Sequence, residues 1–507
     1  MASFKTFKFV FLQACVALLV AGLAESSTLF EEGTVISFDD ASQSVKVLRN
    51  TSVLVVDDRI TAIFDAGSQN VTIPADAERV SVRGKIISPG FIDTHRHGWQ
   101  SAYRTIVSNT TLGEYLVRYG EFSQAQTIFT PDDVYYGQLV SAYESLNSGV
   151  TSILEHAHGT WSNETSASYL DASIDSGIRM WWAYAVHELS NGFSIQEQLV
   201  NFKDLRTSEK LANQSVVQIG MAYDFAGLAS AEQDALVLGV ARDSNLSVFT
   251  LHDVGGPFGY ENAPARLQAL DFINTTFPIV FSHSAYLTVG GAKIIRDNNH
   301  YVSITPESEM HYGHGHENSP NIQDQSALGI DTHSTYSADI ITQARLWLQA
   351  TRLKMFYRTL DFWEVPTTNP MSVNQAFLLA TRAGGLALRR PDLGVIQVGA
   401  KADLAIFDGD SPNMLGWSDP VAAVILHSNV GDVKHVLVDG QWRKRDGELV
   451  LNQNRTEVEQ LFLQSARRIQ DVWANTPPTV LSGQSAAGAN YAPTRFQDVI
   501  RGEGDGY

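Results

Sequence analysis

The chain has 507 residues, 44% of them hydrophobic and 18% charged, with a formal charge of −19. This composition excludes disorder, collagen and coiled coil as the main state, and the acidic balance argues against nucleic acid as a partner. The single cysteine, Cys15, excludes four-cysteine zinc sites and disulfide frameworks within the chain.

At the N-terminus, Lys5 and Lys8 precede the apolar run FVFLQACVALLVAGLA, which ends in the small residues Ala21, Gly22 and Ala24. This is the pattern of a secretory signal peptide over residues 1–24. The 16-residue run falls short of the ~20 apolar residues of a membrane span. Cleavage near Ala24 predicts a cysteine-free chain at −21, from 34 basic and 55 acidic residues. Eight Asn-X-Ser/Thr sequons follow, at Asn50, Asn70, Asn109, Asn163, Asn213, Asn245, Asn274 and Asn454. Together these predict a secreted, N-glycosylated protein with no membrane association after cleavage.

Residues 26–84 and 394–450 alternate like strands and are rich in Val, Ile, Gly and Asp. The two flanks are expected to pair into one small β-sandwich built from both chain ends. Between them, residues 85–393 alternate apolar, β-branched runs with helix-like segments. Eight runs are expected strands: 85–97, 150–158, 180–188, 216–224, 246–253, 277–284, 301–309 and 328–334. Continuous apolar runs alternating with helices indicate a covered parallel sheet, and eight units indicate an α/β fold of the (β/α)8 TIM-barrel type. Residues 456–476 read as an amphipathic helix, and the chain after Pro477, rich in Gly, Ser, Ala and Asn, as an extended tail.

Such barrels carry their chemistry at the C-terminal strand ends. Here those ends hold His95 and His97, His156 and His158, His187 and Glu188, and Asp224, then His252, His283, Glu307 and Glu309, and Asp331. In Asp93-Thr94-His95-Arg96-His97, the two histidines at i and i+2 share one strand face, and imidazole is a preferred ligand of zinc and iron. Asp93 is a candidate to orient a ligand histidine. Trp99 fits either a pocket wall or packing under a loop. His156, His158 and His187 read as hydrogen-bonded supports rather than ligands. His311, His314 and His316 read as a solvated loop or substrate wall rather than a separate metal site.

The stretches SPGFIDTHRHGWQ, GVTSILEHAH, VFTLHD, VFSHSAYLT, VSITPESEMHYGHG, GIDTHS and DLGVIQVGAKADLAIFD resemble the amidohydrolase superfamily. The closer resemblance is to its cytosine deaminases, chlorohydrolases and triazine hydrolases. It implies one divalent metal, zinc first and iron as the alternative, on His95, His97, His252 and Asp331. It also implies that His283 hydrogen-bonds the reacting oxygen. The resemblance departs at His252-Asp253-Val254-Gly255, where family deaminases carry H-x-x-E. In the family that Glu carries the proton from the attacking water to the leaving nitrogen. The acids at the other strand ends, Glu188, Asp224, Glu307 and Glu309, are the candidates to replace it. Glu309 is the first choice, because strand 7 lies between the strands of His283 and Asp331. No Lys stands where the two-metal members carry a carboxylated one, so a single metal is expected.

The function expected is hydrolysis of a non-peptide C–N bond in a small, cyclic or natural-product substrate, with Asp331, His283 and Glu309 as the catalytic groups. A metal-dependent lyase or isomerase, or a binding protein with a degenerate site, are the alternatives. A homo-oligomer is left open.

Overall fold

The computed structural model describes residues 26–485 and 487–493, so the signal segment lies outside the described residues. Eight parallel strands form a closed ring. Strands 1 to 7 of the barrel are Phe91–His97, Val150–Ala157, Arg179–Ala185, Val217–Ala222, Phe249–Asp253, Ile279–His283 and Tyr301–Ile304. Strand 8 is divided: Ser326–Leu328 pairs with strand 7, and Asp331–Thr332 pairs with strand 1, which closes the ring. The division falls at Gly329, where a Cβ would stand 2.6 Å from Ser303 Oγ and 2.9 Å from the His95 amide nitrogen.

Helices cover the ring, and local chemistry sets their starts. Helix Pro131–Asn147 begins at a capping box of Thr130 and Asp133, with Pro131 in its first turn. The strands are buried along their whole length or nearly so, as expected for a sheet covered on one face and closed around its own core on the other.

Two sequence expectations shift. The run 85–97 is not one strand: Ile86–Pro89 belongs to the small domain, and the barrel starts at Phe91. The chain crosses between the two at Gly90, where any Cβ would strike the Thr151 side chain at 2.1–2.6 Å. The run 301–309 ends as a strand at Ile304, because Pro306 opens a short helix, Pro306–His311, that carries Glu307 and Glu309. The flanking strands join, as expected, into one unit built from both chain ends, a nine-stranded sheet. Its two ends of chain meet where Ile86–Pro89 pairs antiparallel with Leu404–Phe407, and it wraps a core that includes Phe30, Val53, Ile87, Ile396 and Leu437.

The amphipathic helix spans Arg455–Ala474 and buries Phe462, Ile469 and Trp473. The chain after it is not simply extended. Gln484 bridges Asn490, and the Tyr491 amide donates to the Gly483 carbonyl. This turn rests on the rim of the barrel, with the Ser485 hydroxyl on the Pro257 carbonyl at 3.1 Å. Among the described residues no helix is long and apolar enough to cross a membrane.

Candidate active site

Alternation along strand 1 turns His95 and His97 to the ring interior and Arg96 outward. Arg96 is buried and bound to Glu155 at 2.6 Å, and Glu155 also accepts from Tyr169 and from the Gly98 amide. Strands 5, 6 and 8 bring His252, His283 and Asp331 to the same point. His95, His252, His283 and Asp331 place ligand atoms within 4.8 Å of one another. His97 joins through Nε2, which lies 3.3 Å from Asp331 Oδ1 and 3.3 Å from His252 Nε2. His95 Nε2 also lies 3.3 Å from Asp331 Oδ1.

These contacts fit a metal ion. His97 Nδ1 faces the His156 carbonyl at 2.9 Å and must donate to it. His252 Nδ1 faces Asp224 Oδ2 at 2.9 Å and donates to that carboxylate. In neutral imidazoles both Nε2 atoms are then bare lone pairs pointing at each other, an arrangement that a metal ion between them would satisfy. His95 Nε2 is buried without a hydrogen-bond partner. Tetrahedral bonds of 2.0–2.1 Å give ligand-to-ligand edges of about 3.3–3.4 Å, which matches the three 3.3 Å approaches.

The surroundings set the charges. Burial pushes the His95 imidazole well below its usual range. Burial opposes ionisation of Asp331, but the adjacent imidazoles of His95, His97 and His283 hold it well below the carboxylate range. Burial also works against a charged His252, yet the adjacent Asp224 raises it to about 9. Three strand-end residues are held in the left-handed region: His283 at φ 75°, Ser284 at φ 50° and Asp331 at φ 71°. For non-glycine residues this costs about 1–3 kcal/mol each and is concentrated at working sites.

The expected supports divide. His156 is buried, with Nε2 3.7 Å from Asp224. His158 stacks on His97 at 3.7 Å and accepts from Trp99 Nε1 at 2.9 Å. Trp99 is fully buried against Phe129 and Trp161, so it packs rather than lining the pocket. His187 packs on Phe122 away from the ligands. Asp93 does not orient an imidazole; its Oδ1 accepts from the backbone amides of His95 and Ile330 and so ties strand 1 to strand 8. Of the loop histidines, only His314 lines the cavity.

The acids expected to replace the missing Glu sit elsewhere. Glu188 is exposed at a separate concavity. Asp224 is engaged with His252. Glu307 pairs with Gln343 at 3.0 Å. Glu309 is fully buried behind His283: it accepts from the Thr305 amide at 2.9 Å and stands 3.8 Å from His283 Nδ1. It does not line the cavity. Its placement suits steadying His283, whose Nδ1 meets Thr305 Oγ1 at 2.9 Å, and does not suit direct proton delivery.

The cavity over the ligands is walled by Leu112, Tyr115, Leu116, Val254, Phe258, Tyr260 and Tyr312, with no Lys or Arg among the described residues that line it. It does hold one acid that sequence reasoning passes over, Glu121, in the loop after strand 1. A loop acid has no periodic signal, and only the fold shows that it points inward.

Comparison with known proteins decides the family. The amidohydrolase family model matches residues 86–443. The chain belongs to the amidohydrolase family. It is 24% identical over 434 residues to the 5-methylthioadenosine/S-adenosylhomocysteine deaminase of Thermococcus kodakarensis, covering 82% of this chain and 93% of that protein. It is 25% identical over 449 residues to the 5'-deoxyadenosine deaminase of Methanobrevibacter smithii, covering 83% and 93%. Its fold is that of a zinc-bound adenosine deaminase from Xanthomonas campestris, at TM-score 0.74 and 18% identity over 89% of this chain and 99% of that one. It is also that of an atrazine chlorohydrolase from Arthrobacter aurescens TC1 with zinc and atraton, at TM-score 0.71 and 19% identity over 87% and 100%. This amidohydrolase is therefore a hydrolase of C–N bonds other than peptide bonds.

Proposed function

We propose that this amidohydrolase is secreted and uses one zinc ion to cleave an amide or aryl-amine C–N bond in a small, uncharged, cyclic molecule. The observation that carries the single-metal reading is the set of three 3.3 Å ligand approaches around Asp331 and His97. The substrate reading rests on the cavity wall. Phenol, phenyl and aliphatic side chains suit a flat apolar ring, and among the described residues no Lys or Arg lines the cavity to meet a carboxylate or phosphate.

His95, His97, His252 and Asp331 would hold the ion. When bound, zinc lowers the pKa of water to about 7 and polarises a carbonyl or ring carbon. Asp331 Oδ1 takes the proton of the attacking water. His283, whose Nδ1 meets Thr305 Oγ1, would present Nε2 to the developing oxyanion in the tautomer that carries its proton there. The aromatic wall excludes bulk water and holds the ring against these groups. The secreted reading is supported by the segment 1–24 and by the exposure of all eight sequon asparagines.

The test joins elemental analysis to a panel of cyclic amides and amino-heterocycles. About one zinc per chain is expected, with ammonia or amine release matched by uptake of one water. Well under half an equivalent of metal after refolding with zinc would remove the metal reading. Products formed without water uptake would select the lyase or isomerase instead.

A further inference from the structure

The unexplained group in this cavity is Glu121. It lies between helix Leu112–Arg118 and helix Pro131–Asn147 and is 7% exposed. Its backbone is pinned, because Trp161 Nε1 donates to the Glu121 carbonyl at 3.0 Å. Its carboxyl has no ion pair and no hydrogen bond to another residue among the described residues. Apart from Asp331 it is the only carboxyl among the described residues of the cavity wall. Burial raises its pKa, and the nearby charges it feels include His252 and His97 on one side and Asp224 on the other. A buried acid without a partner costs free energy and adds nothing to the fold. Such groups persist where chemistry uses them. Glu309, behind His283, and Asp224, on His252, are both spoken for.

We propose that Glu121 is the general acid that delivers a proton to the leaving nitrogen, the task left open by Val254 and Gly255 after His252. The inference rests on the hydrolytic reading above. Water adds its oxygen to the electrophilic carbon and loses one proton to Asp331. The C–N bond breaks with its electron pair going to nitrogen, and Glu121 supplies that nitrogen with a proton. Ammonia or a neutral amine leaves. The proton on Asp331 returns to Glu121 through solvent, so one water enters and one amine departs. The nitrogen needs that proton because an amide anion is too basic to leave unaided.

The experiment compares Glu121→Gln with the wild-type holoenzyme. For an amide or amine substrate, kcat is expected to fall roughly 10²-fold or more, the scale of a general acid, with KM little changed. Zinc content should be unaltered, which separates this loss from misfolding or metal loss. An ester of the same acyl group with a phenolate leaving group should keep near-normal kcat, because that group leaves without a proton. Near-normal kcat on the amine substrate, or equal losses on amine and ester, would overturn the proposal while leaving the hydrolytic reading intact. A wild type that releases no amine from any substrate would overturn that reading instead.

Discussion

Behind each ligand nitrogen stands a group that decides which way its lone pair faces. His252 shows this best: Asp224 accepts both its backbone amide, at 2.7 Å, and its Nδ1–H, at 2.9 Å. The carboxylate thereby fixes ring rotation and tautomer and makes Nε2 a stronger donor to a cation. Asp224→Asn would keep an acceptor of similar size but remove the charge. We expect zinc affinity to fall about 10–100-fold, measured by chelator competition, with the fold unchanged by circular dichroism. Equal affinity would mean that Asp224 does not support the ligand. The histidines that the structure brings together are legible in the sequence, because each ends an apolar run and His95 and His97 share a strand face. The Asp224–His252 pairing is not, because Asp224 follows strand 4 and His252 lies on strand 5, 28 positions apart. Read alone, Asp224 passes for a free acid, and Glu121, in a loop without periodicity, shows no signal at all.

At the scale of elements, the barrel and the small sheet are joined at the end of the barrel away from the ligands. Arg179 begins strand 3 and reaches into the small sheet. It binds Asp403 through two contacts, at 2.8 and 3.0 Å, and Asp439 at 2.7 Å. Lys401 adds a further contact to Asp439 at 2.6 Å. Arg179 and Asp403 are each about 2% exposed, so neither charge can fall back on water. A buried pair of this kind contributes little net stability while intact, but breaking it strands the partner charges. Arg179→Ala should therefore cost about 3–5 kcal/mol. With roughly 1 °C per kcal/mol for a chain of this length, Tm should drop by about 3–5 °C in calorimetry. Zinc content and kcat at assay temperature should hold, since stability resides at this face of a barrel and chemistry at the other. A lost metal or an unchanged Tm would contradict that separation. The eight barrel strands are legible as apolar runs between helix-like segments, but their ends are not. Periodicity cannot show that Gly90 is a crossing point between domains, that Pro306 stops strand 7, or that Gly329 divides strand 8, because each depends on what a Cβ or a missing amide meets in three dimensions.

At the scale of the whole molecule, the charge and the sequons bear on where the enzyme works. The eight sequon asparagines are spread over the small sheet, the barrel helices and loops and the start of the last helix, and every one of them is exposed. Asn163 opens helix Asn163–Asp175, and Asn454 caps helix Arg455–Ala474 through its Oδ1. A glycan on Nδ2 leaves that oxygen free to cap, so modification and fold do not conflict. Removal of residues 1–24 takes away the only cysteine, so the remaining chain has no thiol to oxidise in an extracellular setting. A chain cleaved there would carry a formal charge of −21, which disfavours self-association. Protein secreted from a eukaryotic host should therefore begin near Glu25. Its intact mass should exceed the peptide mass and fall to it after enzymatic removal of N-glycans. Terminal sequencing that finds Met1 or Ala2, together with an intact mass that de-glycosylation does not change, would mean that the enzyme works inside the cell. The exposed asparagines would then be ordinary surface residues, and the zinc for His95, His97, His252 and Asp331 would have to come from the intracellular pool.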